Sequence, residues 1–158
     1  MCSSDLEAEG IIEHRPQSGV YLREVSPQEL EELYDMRELI EPYAAERAAR
    51  LASPAQLEQI RGVCDEVTAI ARQPGLVHWL ESAKNRRRLS MLDIEFHATI
   101  LAAAQNRVAR RFFENAQIIS LVVSWNHFQA EPDALAKRVV PTAQQHRAIY
   151  DAIKRRAA

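Results

Sequence analysis

Disulfide chemistry is the first thing this sequence lacks. Two cysteines, Cys2 and Cys64, occur in 158 residues, too few and too oddly placed for a disulfide framework. No paired Cys-x-x-Cys spacing is present, nor a Gly-rich phosphate loop or a Ser/His/Asp order. The Glu-x-x-His pairs of di-iron bundles are missing as well. Charge of one sign is also lacking: the net charge is −2, so nothing draws the whole chain to nucleic acid or anionic lipid. No stretch approaches the roughly 18 consecutive apolar residues of a membrane span. The start lacks the basic-then-apolar pattern of a secretory signal. A soluble, cytoplasmic protein is expected, with no membrane partner.

What is present is an ordinary globular composition, 47% apolar and 27% charged, so disorder is not the expectation. The length allows one full core and no second large domain. Glycine is scarce, at four residues, while Ala, Leu, Glu and Arg are common. That balance favours an all-α protein.

Residues 1–9 carry no readable pattern. From Gly10 to Arg23 the chain behaves differently from everything after it. Ile11 and Ile12 precede a turn signal at Pro16-Gln17-Ser18-Gly19, and the β-favouring run Val20-Tyr21-Leu22 comes next. This predicts a hairpin, which must find something to pack on because a lone two-stranded hairpin is marginal in water. Ser26-Pro27-Gln28-Glu29 then reads as a helix start, with Ser as N-cap and Pro at the first helical position. The helix should run to about Ala52, with Leu30, Leu33, Arg37, Ile40 and Ala44 on one face and a kink or a loosened turn at Pro42.

Ser53-Pro54 repeats the cap signal, and Leu57, Ile60, Val63 or Cys64, Val67 and Ile70 form the next stripe. Gln73-Pro74-Gly75 breaks the pattern. A short helix is expected over Leu76 to Leu80, with Trp79 anchored in the core. Further helices are predicted over 86–104 and 107–126, then a polar loop over 129–138. A last helix should begin near Pro141-Thr142, with His146, Ile149, Tyr150 and Ile153 facing inward.

Four side chains stand out. Asp93 and His97 are four residues apart in a helical stretch, so they lie one above the other on a face that also carries Leu89, Ile100 and Leu101. Inward-facing polar groups need partners. His146, on another helix, would make a set of one carboxylate and two imidazoles, which suits zinc, nickel, manganese or iron. The plainer alternative is a pair of core histidines bonded to carbonyls or hydroxyls. Arg37, in the middle of an apolar stripe, is suited to gripping a carboxylate; Glu41, one turn on, is the obvious partner if the role is only structural. His14, His78 and His127 read as surface residues, and the Lys84–Arg88 run as a solvated face.

The order of these pieces resembles a known family. Gly10-Ile11-Ile12-Glu13-x-Arg15-Pro16-x-x-Gly19-Val20-x-Leu22 looks like the wing that ends the winged-helix domain of GntR-type transcription regulators. The chain beyond that stretch is similar to the FCD effector domain of the FadR-like subgroup. Tyr34, Arg37, Ile40, Glu41, Ala44 and Ala45 match first, with Ala48 and Ala49 behind them. Leu92, Asp93, Phe96, His97, Ile100, Ala103 and Asn106 match next, then Gln145, His146, Ile149, Tyr150, Ala152 and Ile153.

The resemblance implies an antiparallel helical bundle around a metal-assisted pocket for a small carboxylate effector. Asp93, His97 and His146 would be metal ligands, with zinc the first expectation and nickel or manganese next. Arg37 would meet the effector, and Ser124 and Asn126 are placed to add hydrogen bonds. A fourth ligand, a histidine, would lie beyond Ala158, and the DNA-reading helices before Gly10.

The organisation expected is a non-native leader over 1–9, a wing remnant and linker over 10–25, and an FCD-like domain over 26–158 without its last helix. In the intact protein a homodimer would carry the signal to DNA. The expected function is effector sensing without catalysis. The alternative is a metal-dependent enzyme with a two-His, one-carboxylate site, against which no general base is evident beside the site and Glu95 should point away from it.

Overall fold

The computed structural model describes residues 7, 12–22, 26–113 and 131–155. Ser124, Asn126 and His127 lie outside the described residues. Two strands, β1 (Ile12–Arg15) and β2 (Gly19–Leu22), pair antiparallel with Ile12 opposite Leu22 and Arg15 opposite Gly19. Gln17 and Gly19 take positive φ in the turn, which a glycine accepts without strain. The hairpin is as expected, and its Val20 and Tyr21 side chains stay exposed.

Helix α1 spans Pro27–Leu51 and α2 spans Pro54–Arg72. Ser26 accepts from the Glu29 N–H, as the cap signal predicts. In α2 the residue completing the capping box is Gln56, whose side-chain oxygen accepts from the Ser53 N–H while Ser53 Oγ accepts from the Gln56 N–H. A short α3 (Leu76–Glu81) comes after Gly75, which supplies a positive φ. The core anchor there is Leu80, fully buried; Trp79 is only partly buried and packs against the core from its edge. The sequence places that anchor one residue too early.

Helix α4 (Ala83–Ala103) ends in a tight corner at Ala104-Gln105-Asn106. Gln105 adopts a positive φ, and Asn106 Oδ1 accepts from the N–H groups of Val108 and Ala109, starting a helical stretch described over 107–113. The corner is fastened to α1: Arg47 Nε donates to Ala104 O at 2.7 Å, Gln105 Nε2 to Leu51 O at 3.3 Å, and Asn106 Nδ2 to the Tyr43 hydroxyl at 2.8 Å.

The last long helix, α5, spans Pro132–Arg155. Its start corrects the loop expected over 129–138 for residues 132–138; residues 129 and 130 lie outside the described residues. Pro132 occupies a first helical position, where a missing N–H costs nothing, and Glu131 O accepts from Ala134 and Leu135. Pro141 lies inside the helix and does not begin it, as Pro42 lies inside an unbroken α1. Both prolines sit on exposed faces, and so do Glu38 and Lys137, four residues earlier. Water can therefore reach the carbonyls that lose their helical donors, which moderates the cost of each proline.

Packing is set by the apolar stripes. Helices α1 and α2 lie on opposite sides, and each packs against both α4 and α5. Helix α2 runs antiparallel to α4, as the pairs Gln59–Glu95 and Arg88–Glu66 show. Helices α4 and α5 thus face each other across the middle, where side chains rather than backbones fill the space. Ala44, Ala48, Ile60, Cys64, Leu92 and Phe96 are the fully or almost fully buried centre. At about 25 cal/mol per Å² of apolar surface removed from water, this centre is the main source of stability. Burial pushes the Cys64 thiol up to about 11, which leaves it an unreactive core side chain.

Two charged groups depart from the solvated face expected of 84–88. Arg86 Nη1 donates to the carbonyls of Leu80 and Glu81 at 2.6 and 2.8 Å, closing the end of α3. Arg88 forms a two-pronged pair with Glu66 across α2 and α4.

Candidate metal and effector site

Helical geometry puts Asp93 and His97 on one face of α4, and α5 brings His146 to meet them. Asp93 Oδ1 lies 3.8 Å from His97 Nε2 and 3.4 Å from His146 Nε2. One ligand atom from each of the three residues falls within 4.8 Å of the others. Metal–ligand bonds of about 2.0–2.2 Å set neighbouring ligand atoms roughly 3–3.5 Å apart. The donor set fits a divalent metal; the Asp93–His146 pair already has that spacing, and the widest pair, within 4.8 Å, has to draw in by up to about 1.5 Å.

The surroundings hold these side chains in place. His146 is 4% exposed, and its ring stacks on Phe96 with centroids 3.8 Å apart. Phe96 meets His97 edge-on at 5.2 Å. Its position one residue before His97 turns it toward α5, where it forms the platform between the two imidazoles. Nδ1 of His146 has no hydrogen-bond partner among the described residues.

The protonation states suit ligation. Burial tends to push the Asp93 carboxyl up, but the His146 N–H beside it and the nearby His97, His146 and Arg37 charges hold it below its usual value. Burial holds the His97 imidazole below its usual value, more strongly than the Asp93 and Glu41 carboxylates raise it. A carboxylate and a neutral imidazole are the forms a cation needs. Although the Asp93 side chain is 46% exposed by area, it opens onto a cavity wall and protein surrounds it on its other sides.

That wall belongs to a cavity of about 160 Å³ lined by Ser90, Asp93, Arg138, Thr142 and His146 among others. A larger cavity of about 590 Å³ lies on the α1 side, lined by Tyr34, Arg37, Glu41, Phe96, His97 and Ile149 among others. Arg37 and His97 thus share a cavity wall. The Arg37 guanidinium donates from Nε to Glu41 Oε1 at 2.7 Å, the pairing its spacing suggests. It also lies over the rings of Tyr34 and Phe113, each 5.6 Å from its carbon. Among the described residues its Nη groups donate no hydrogen bond, so the guanidinium is anchored at one edge and available at the other.

Glu41 is the residue that sequence reasoning valued too little. Its second oxygen, Oε2, lies 3.4 Å from His97 Nδ1. A carboxylate does stand beside the metal cluster, contrary to the expectation of none. Glu95 points elsewhere, as expected, with its carboxylate accepting from Gln59 Nε2. The i,i+4 spacing to Arg37 was the visible signal; the approach of α1 to α4 was not. His14 and His78 are exposed, the latter beside Glu81.

Comparison with known proteins agrees with this architecture. A model of the FCD domain matches residues 32–158. A GntR protein from Streptococcus agalactiae has a similar fold, with a TM-score of 0.58 and 20% identity over 97% of this chain and 69% of that one. No curated protein sequence matches the chain. Among the described residues no helix is long and apolar enough to cross a membrane. A family match over most of the length, on a bundle of this kind, leaves one assignment: the chain belongs to the FCD-domain family of GntR-type transcription regulators, as a ligand-sensing regulatory domain.

Proposed function

We propose that this domain senses a small organic acid at a divalent metal held by Asp93, His97 and His146, with Arg37 gripping the acid's carboxylate. The observation that carries the reading is the convergence of those three ligand atoms within 4.8 Å, with His97 lining the same cavity as Arg37. When bound, the metal supplies a second positive charge, against which an anionic oxygen can rest. The chain's own residues do the selecting. Arg37 offers paired N–H donors in a planar fork, beside the Glu38 and Glu41 carboxylates, and Phe96, Ala44, Ala45 and Ile149 are among the apolar parts of the wall. A cavity of about 590 Å³ has room for a small organic acid.

In this reading the hairpin at Ile12–Leu22 closes a DNA-binding winged helix, residues 26–158 are the sensor, and zinc is the first metal to try. Effector binding would shift α1 against α4 and so reposition the DNA-reading units of a homodimer. Ser124 and Asn126 are proposed as further hydrogen-bonding groups for the effector.

The test is calorimetry of metal-stripped protein with zinc, nickel and manganese, and then with a panel of small carboxylates. Binding of a carboxylate that needs both the metal and Arg37 is the expected result. Absence of any metal binding overturns the reading. Turnover of a bound acid with added iron or zinc would instead favour the enzymatic alternative.

A further inference from the structure

Glu41 touches both halves of the proposed site. Oε1 accepts from Arg37 Nε at 2.7 Å, and Oε2 lies 3.4 Å from His97 Nδ1. Each oxygen faces a different donor, and each donor belongs to a side chain with its working edge turned elsewhere: the Arg37 Nη groups are free among the described residues, and His97 Nε2 faces Asp93. The carboxylate is only 28% exposed, so little water competes for it.

We infer that Glu41 is the positioning residue of the site, holding His97 as the Nδ1–H tautomer and Arg37 with its Nη edge toward the cavity. The inference rests on the metal site proposed for Asp93, His97 and His146. A histidine that uses one nitrogen as a ligand must keep its proton on the other, and a carboxylate at that other nitrogen fixes both tautomer and ring angle. At 3.4 Å the contact is longer than a settled N–H···O bond, and a shift of a few tenths of an ångström closes it. The same carboxylate restrains a guanidinium that would otherwise sample many rotamers, so less ordering is left for an incoming anion to impose. One residue on α1, itself on the cavity wall, thereby links anion affinity to metal affinity without being a metal ligand. In a plain structural ion pair, by contrast, Arg37 and Glu41 would be interchangeable: loss of either would have the same consequence.

The experiment compares wild type, Glu41→Ala, Glu41→Gln and Arg37→Met. Zinc is titrated into each, and acetate is then titrated into the zinc-loaded protein. Long-range proton–nitrogen NMR reads the His97 tautomer in metal-free protein. Expected are a roughly 10–100-fold loss of zinc affinity in Glu41→Ala, the size typical of removing an outer partner of a histidine ligand, and a loss of acetate affinity as well. The His97 tautomer becomes mixed in that variant. Arg37→Met should lose acetate binding and keep both zinc affinity and tautomer. Glu41→Gln keeps size and folding but turns an NH2 toward one of two donors, so one of the two affinities falls. An unchanged tautomer and zinc affinity in Glu41→Ala and Glu41→Gln overturns the inference, as does an Arg37→Met that loses zinc equally. If wild type binds no zinc, the metal reading fails, while the tautomer measurement still decides what Glu41 does.

Discussion

The two histidines of this site are held in opposite ways. His97 has a polar frame: Asp93 near Nε2 and Glu41 near Nδ1, 3.8 and 3.4 Å away. His146 has an apolar one. Its ring lies flat on Phe96, Asp93 is near Nε2, and Nδ1 is buried with no partner among the described residues. A polar frame sets the protonation state of a ring as well as its position; an apolar frame sets position alone. The α1 side of the pocket is therefore prepared for a charge before anything binds, and the α5 side is prepared mainly in shape.

The largest effect should come from the residue both histidines share. Asp93→Ala is expected to weaken metal binding by more than the roughly 10–100-fold that loss of an outer partner costs, as read by calorimetry on metal-stripped protein. An Asp93→Ala protein that keeps wild-type affinity would remove the basis for comparing the two rings as ligands.

Next comes the cost of each ring to the metal-free fold. His97→Phe leaves one Glu41 oxygen without its neighbour and should lose about 1–2 kcal/mol in urea unfolding. His146→Phe also removes a carboxylate neighbour, Asp93 at Nε2, but takes away an unpartnered buried nitrogen with it, and should cost less than His97→Phe, whose ring has a carboxylate near each nitrogen. Equal losses would mean that the two frames are equivalent.

Acid sharpens the same contrast. The His97 value in the fold lies below the ordinary 6.5, so below that pH the unfolded chain binds more protons than the folded one, and stability falls as pH drops. Asp93, held below 3.8, contributes a second loss in the same direction that begins only when pH falls below that figure. The melting temperature of metal-free protein should start to decline below about pH 6.5, and His97→Phe should flatten that first decline while only reducing the second, which rests first on the His146 contact. The smallest effect is remote from the site. Ser53→Ala removes one half of the α2 capping box, lowering stability by about 1 kcal/mol without changing metal affinity.

Much of this was legible in the chain itself, for identifiable reasons. Periodicity in Leu57, Ile60, Val63 or Cys64, Val67 and Ile70 predicts a buried helix face, and five of those six residues are buried. The pairing of Asp93 with His97 comes from helical geometry alone; His146 is put forward by the inward face it shares with Ile149, Tyr150 and Ile153, and the family pattern strengthens it. Glu41 shows where such reasoning stops: spacing reveals its bond to Arg37, but its approach to His97 crosses two helices. Pro141 misled for the opposite reason, because a proline on a solvated helix face costs less than the rule for buried helices implies, and so hid the first turns of α5.

The corner at Ala104 to Asn106 has a mechanical consequence. Three hydrogen bonds pin it to Tyr43, Arg47 and Leu51, so α1 and α4 are riveted together at one end. His97 sits seven residues back along α4, about 10 Å from that rivet at 1.5 Å per residue. With one end fixed, relative movement of the two helices is a swing and not a slide. A tilt of about 10° at the pivot moves the His97 level by roughly 2 Å over that lever arm, enough to open or close the gap between Glu41 and the imidazole. A modest ligand can thus turn a short reach inside the pocket into a larger displacement at the far end of α1.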